Sequence, residues 1–156
     1  MTTALASGST LDAFYYHLNS AWFAILRGDI PLAAENMNTI AAMTGKMGTP
    51  YYRALWNIGM AQVAFLQGRT GDAGIHIRKA HHTGLEMKSR VIEWYSLLIG
   101  AWLFLREGDE KKGIASLRQG FELGKSQGYV HLEFYQPSVM QFLCAKALEK
   151  DIEPEY

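Results

Sequence analysis

At 156 residues the chain has the length of one ordinary domain, and a hydrophobic share of 49% is enough for a continuous core, which excludes a disordered chain. Fifteen basic and fifteen acidic side chains cancel, so the positive field that direct nucleic-acid contact would need is missing. One cysteine, Cys144, excludes an internal disulfide, the opening MTTALASGST lacks the basic start and apolar run of a signal peptide, and no stretch approaches the ~20 apolar residues of a membrane span. These bounds describe a soluble, cytoplasmic protein with no membrane partner.

Residues 1–10 form a flexible N-terminal segment ahead of one helical domain, 11–150. Ser9 or Thr10 caps a first helix over 11–27, with Asp12 where negative charge favours a helix start, and Gly28 ends it. Asp29 caps the second helix and Pro31 sits in its first turn, where a missing N–H costs nothing; the helix runs towards Gly45 or Gly48 and completes a hairpin over 11–48. Thr49 and Pro50 open hairpin two, 49–88, whose first helix ends at Gly68 and whose second runs from about Thr70 to Lys88. Ser89 or Arg90 starts hairpin three, 89–128, which turns at Gly108 and Asp109. The connections are short, so successive helices lie antiparallel. In 129–136, Val130, Leu132 and Phe134 alternate with polar residues and predict a short extended segment. Pro137 opens a seventh helix, 137–150, whose Val139, Met140, Leu143, Ala147 and Leu148 form an apolar stripe that caps the open end of hairpin three. The charged tail 151–156 reads as a truncated end, and the chain as a fragment of a longer protein.

Gly28, Gly68 and Gly108 recur forty residues apart, each closing a segment of like pattern, and Ala33, Ala73 and Gly113 follow five residues after them. Ala21, Ala61 and Ala101 mark a small position in each first helix. Small residues at both sites let neighbouring helices cross closely. This arrangement resembles the tetratricopeptide pattern, although the period is longer than the family's ~34 residues and the usual proline at each repeat end is missing. The resemblance implies an all-α fold: a right-handed superhelical stack of about three antiparallel hairpins plus a C-terminal capping helix. Helices this long are similar to the tetratricopeptide-like domain of ATP-dependent LuxR-type regulators. Gly128-Tyr129-Val130, Pro137, Val139-Met140, the run Leu143 to Glu149, Ile152-Glu153 and Tyr156 look like the end of such a region in large bacterial regulators that join an ATPase, repeats and a DNA-binding domain. Neither of those partner domains lies within the chain.

In tetratricopeptide domains the first helix of each pair lines a concave face. Carried over, that face takes Tyr15, Leu18, Trp22 and Ile25, then Leu55, Ile58, Gln62 and Phe65, then Tyr95, Leu98, Trp102 and Leu105. The same spacing describes an inter-helix core equally well. The candidate binding set is Tyr15, Leu18, Trp22, Gln62, Phe65, Tyr95 and Trp102, because aromatics with little conformational freedom suit recognition and Gln62 interrupts an otherwise apolar column. The Lys and Asn clamp of chaperone-tail receptors is absent, since Leu18, Trp22, Ile58 and Gln62 stand at comparable places.

His76, His81 and His82 share no helix face, because five- and six-residue spacings turn side chains about 140° and 120° apart, so they read as polar-face residues beside Arg78 and Lys79. Cys144 reads as a buried, inert thiol beside Met140 and Leu148. Gly45-Lys46-Met47 lacks the spacing and hydroxyl of a phosphate loop, and Asp29, Asp72, Asp109 and Glu110 fall where helix capping explains them. No catalytic residue, cofactor or metal site is expected. Three functions stay open: an interaction and regulatory domain of a bacterial transcriptional regulator, binding a protein segment, a neighbouring domain of the same polypeptide or a second copy; a sensor holding a sugar-like or flat small molecule in the groove; and a structural spacer.

Overall fold

The computed structural model describes residues 9–131 and 136–156. Among the described residues seven helices follow in order: α1 (Thr10–Leu26), α2 (Ile30–Thr44), α3 (Pro50–Leu66), α4 (Thr70–Glu86), α5 (Arg90–Arg106), α6 (Glu110–Gln127) and α7 (Pro137–Glu149). The architecture is all-helical, and among the described residues no helix is long and apolar enough to cross a membrane. Of the segment expected to be extended, residues 132–135 lie outside the described residues.

Local chemistry starts and stops the helices. The Ser9 side chain accepts from the Asp12 N–H at 3.2 Å, Asp29 from Leu32 at 3.1 Å, Thr49 from Tyr51 at 3.3 Å and Asp109 from Lys112 at 3.2 Å, each satisfying an N–H that the first turn leaves without a partner. Asp72 does not cap α4; its carboxylate takes the Arg69 guanidinium at 2.7 Å instead. Likewise Glu110 accepts from Lys150 at 3.0 Å, tying α6 to the end of α7.

Two columns of left-handed residues set the forty-residue period. Gly28, Gly68 and Gly108 turn each hairpin with φ of 74°, 78° and 84°, and the next N–H returns to a carbonyl five residues back, as in Asp29 to Ala24 and Arg69 to Ala64. Between hairpins the same conformation falls on Gly48 (φ 69°), Lys88 (φ 54°) and Gly128 (φ 69°). Lys88 is the exception, a side-chain-bearing residue held where a Cβ crowds its own backbone.

The hairpins form two layers. α1, α3 and α5 touch in succession, whereas α2, α4 and α6 do not touch one another; each is wedged against its own first helix and, for α2 and α4, the next. The wedge is a buried stripe repeated in register: Ala33, Met37, Ile40 and Thr44 in α2; Ala73, Ile77, Ala80 and Gly84 in α4; Gly113, Leu117, Gly120 and Gly124 in α6. Held between neighbours, α3 is buried without a break from Asn57 to Ala64 and α5 from Trp94 to Leu103. A helix buried all round lies inside a core.

α7 packs on α5 and α6 through Val139, Leu143 and Ala147. Its stripe is narrower than the spacing suggested, since Met140 is half-buried and Leu148 exposed. Nor is Cys144 buried; it is exposed on the flank of α7. The tail docks on α6: Ile152 is buried, Glu153 pairs with Lys125 at 2.5 Å, the Tyr156 ring meets Phe121 edge-on at 5.6 Å, and the Tyr156 hydroxyl donates to the Tyr129 carbonyl.

Lys88→Gly is expected to raise stability by about 0.5–1 kcal/mol by relieving the left-handed conformation, and Gly68→Ala to lower it by about 1–2 kcal/mol although no neighbouring atom blocks the added methyl. Urea unfolding midpoints at unchanged slope measure both.

Candidate functional site

The concave positions divide into core and half-buried groups. Leu18, Gln62, Tyr95 and Trp102 are buried, with Gln62 at 0% exposure, so they do not line an open groove. Tyr15, Trp22 and Phe65 are half-buried and pack against the core. Phe65 and Trp102 face each other across hairpins two and three with ring centres 4.8 Å apart. Their neighbours Ile25, Leu55, Ile58 and Leu98 are buried as well. Gln62 is satisfied by a return of the chain: Gln136, at the N-cap of α7, donates its side-chain amide to the Gln62 side-chain oxygen, while the Gln62 amide reaches the Ile58 carbonyl at 3.4 Å. Gln62 is thus the buried partner of a distant amide, and the groove expectation is corrected for this residue and for Leu18, Tyr95 and Trp102.

The histidines have structural partners that a lone reading of each helix misses. His17 Nδ1 lies 2.8 Å from Asn36 Oδ1, and His76 Nδ1 lies 2.8 Å from Asn57 Oδ1. Asn57 stands forty residues after His17, and His76 forty after Asn36, so hairpins one and two carry the same polar rung with its two members exchanged. Each asparagine donates its amide N–H to the backbone carbonyl four residues back, Leu32 or Arg53, at 2.9 Å, which turns its oxygen to the ring and makes Nδ1 the donor. Laying the repeats over one another would have exposed this rung; reading the histidines along one helix could not. In hairpin three the positions hold Leu97 and Ser116, and a cleft of about 260 Å³ opens there between α4 and α6.

His81 Nδ1 lies 3.0 Å from Ser96 Oγ, whose own hydrogen goes to the Glu93 carbonyl at 2.9 Å. His82 is exposed beside Glu86 at 3.3 Å. Burial pushes His76 below the ordinary histidine value, helped by nearby Lys79, and burial does the same to His81 despite the opposing pull of Glu93. The Cys144 thiol is pushed up by partial desolvation, which keeps it protonated and weakly nucleophilic.

The other distinctive surface lies along the edge of α1 that no described helix covers. On α3, Trp56 donates its indole N–H to the Met37 carbonyl of α2 at 2.9 Å, and a Cβ on Gly59 would meet the Met37 side chain at 2.5 Å. On α5, Ser96 meets His81, and a Cβ on Gly100 would lie 3.7 Å from Ile77. These positions, with Val63 and Leu103, are where each first helix leans on the preceding hairpin. The α1 counterparts are Tyr16, Asn19, Ser20 and Phe23, and no described helix precedes them. Phe23 is accordingly 56% exposed, against 0% for Val63 and 2% for Leu103. A shallow cleft beside it runs from Ser20 and Phe23 to Arg27 and Leu32.

Comparison with protein-family models, with curated proteins and with solved structures returns no match.

Because folding keeps His76 and His81 below their ordinary value, acid favours the unfolded chain: stability is full above pH 6.5 and declines as pH falls through that value towards the lower folded one. The melting temperature should therefore drop between about pH 7.5 and pH 5, with a shallower slope in a His76→Gln/His81→Gln variant. Trp102→Ala, which empties a buried site against Phe65, should cost about 3–5 kcal/mol of unfolding free energy.

Proposed function

We propose that this chain is a non-catalytic helical-repeat module for protein interaction and regulation, and that its partner surface is the edge of α1 that no described helix covers. The observation that carries the reading is the exposure of Phe23, 56%, at a position that every later repeat buries against a preceding helix. Exposed aromatics among polar side chains on a folded domain, here Tyr16 and Phe23 about Asn19 and Ser20, form a surface suited to a partner. The occupant that fits is an amphipathic helix of a protein partner, because the two inter-hairpin interfaces already built into the stack use one. Its facing side would repeat the chemistry of α2 and α4, small and aliphatic residues at i, i+4, i+7 and i+11, as in Ala33, Met37, Ile40 and Thr44. Stacking a fourth helical element on an open repeat edge continues the array.

The tetratricopeptide pattern, and the likeness of the C-terminal segment to the ends of repeat regions in large bacterial transcriptional regulators, support a cytoplasmic regulator of that kind as its setting. On the inner face Gln62 pairs with Gln136, and Tyr95 and Trp102 are buried, which favours a structural role for all three.

A side-chain-stapled peptide of residues 30–44 serves as the probe. Titrated into the isotope-labelled protein, it is expected to shift amide resonances along one edge of α1 saturably, and Phe23→Asp should abolish the shifts while leaving the melting temperature within about 2 °C. No saturable shift at millimolar peptide, or shifts away from α1, overturns the assignment. A concentration-dependent dimer that Phe23→Asp dissolves gives the face to a second copy and overturns it too.

A further inference from the structure

The groove between successive second helices is filled at one junction of the stack and open at the next. At the junction of α2 and α4 stand Trp56, Met60 and His76: the Trp56 indole N–H donates to the Met37 carbonyl at 2.9 Å, and its ring meets His76 edge-on at 5.3 Å. Forty residues on, at the junction of α4 and α6, the same positions are Ser96, Gly100 and Ser116. Two aromatic rings and a thioether chain are gone. Part of the loss is made good, since His81, in place of Ala41, reaches Ser96 at 3.0 Å, and Phe104, in place of Ala64, lies 3.9 Å from where a Gly100 Cβ would stand. The rest is the cleft of about 260 Å³, which all five of these residues line.

The rim changes along with the floor. Asn38, Ala41 and Ala42 of α2 correspond to Arg78, His81 and His82 of α4, so a neutral border becomes a basic one. His82 faces Glu86 at 3.3 Å, Arg69 takes Asp72 at 2.7 Å, and Lys112, which lies over the Phe104 ring, is tied to Asp109 at 2.7 Å. Among the described residues Arg78 has no ion-pair partner. Its guanidinium is seated all the same: a Cβ on Gly74 would come within 3.2 Å of one of its nitrogens, and the equivalent residues Ala34 and Ile114 carry that carbon. No carboxylate among the described residues lines the cleft; Glu93 pairs with Arg90 at 2.8 Å, and Glu122 borders an adjoining depression beyond Leu97 and Gln119.

We propose that this cleft binds a small planar aromatic carboxylate, its ring in the space that Trp56 and His76 take up one repeat earlier and its carboxylate on the Arg78 guanidinium. The ring is called for by the lining, in which Ile77, Leu97 and Gly100 form an apolar back and the half-buried Phe104 and exposed Leu85 stand at the sides. The negative charge is called for by Arg78, whose planar fork of N–H donors fits a carboxylate with two parallel bonds. Arg78 is exposed, so the anion stays at the mouth of the cleft and keeps part of its water, which avoids the penalty of burying an ion pair. The volume falls just below the usual range for drug-sized ligands, which suits one or two fused rings with a short acidic arm. The site lies between α4 and α6 and does not rest on the partner surface of α1.

Indole-3-acetate and its uncharged counterpart, indole-3-acetamide, are the probes. Titrated into the isotope-labelled protein, the acetate is expected to shift the Gly100 and Ser116 amides and the Arg78 Nε–H saturably. It should bind about 5–10-fold more tightly than the amide, the margin of one charge-assisted contact. Arg78→Gln, a change at an exposed position, should bring the two affinities together with the melting temperature retained. Ser96→Trp, which rebuilds the plug of the preceding junction, should remove binding of both; if that variant does not fold, Arg78→Gln keeps the test decisive. Equal affinities in the native protein, an affinity gap that survives Arg78→Gln, or saturable shifts confined to residues away from the cleft overturns the proposal. So does undiminished binding by a folded Ser96→Trp variant.

Discussion

The stack depends on one steric constraint: each second helix must come close enough to a first helix for backbone and side chain to meet. The stripes from Ala33, Ala73 and Gly113 onward supply that closeness, and the glycines at their ends measure how tight it is. A Cβ on Gly84 would come within 3.0 Å of Ile92, and one on Gly120 within 2.8 Å of Leu98. Interiors packed to crystal-like density leave no slack for an added carbon. The left-handed turns matter for the same reason. They bring the chain back at the one angle that sets the small stripe opposite the next first helix, so turn and wedge share a period.

That shared period explains which parts of the fold were legible. Helix starts at Ser9, Asp29, Thr49 and Asp109, and stops at Gly28, Gly68 and Gly108, rest on local demands of the backbone, and a sequence states such demands openly. The fate of Trp102 and Gln62 was of another kind. Spacing at three, four and seven residues says that a face is apolar, not what covers it. The partner of Gln62, Gln136, lies 74 positions away, and Trp102 meets Phe65 of the preceding hairpin, both beyond any local pattern. Phase errors were smaller but similar in origin. Val139, Leu143 and Ala147 take the buried line of α7, and Cys144 and Leu148 fall one residue further round, a turn of about 100° that a broad stripe cannot resolve.

The polar rungs show a second limit. His17 with Asn36 and Asn57 with His76 are one interaction in two orders, so neither column of the repeat looks uniform when read alone. A pair that spans two helices leaves its mark on both columns jointly. The exchange is tolerated because an amide oxygen and an imidazole N–H make the same bond whichever helix supplies each, provided the amide N–H is spent on its own helix. Where the third hairpin places Leu97 and Ser116, the bond is gone and a cleft stands in its place.

Tyr156 gives the tail a meaning beyond anchorage. Over Gly84 the stack continues, because Ile92 of the next hairpin arrives there; over Gly124, forty residues on, an aromatic ring from the end of the chain arrives instead. Tyr156 and Ile92 thus fill equivalent glycine-floored sockets in successive hairpins. The socket over Gly124 is plugged from within the protein, so the face that joins one hairpin to the next in the middle of the stack serves here to fasten the tail.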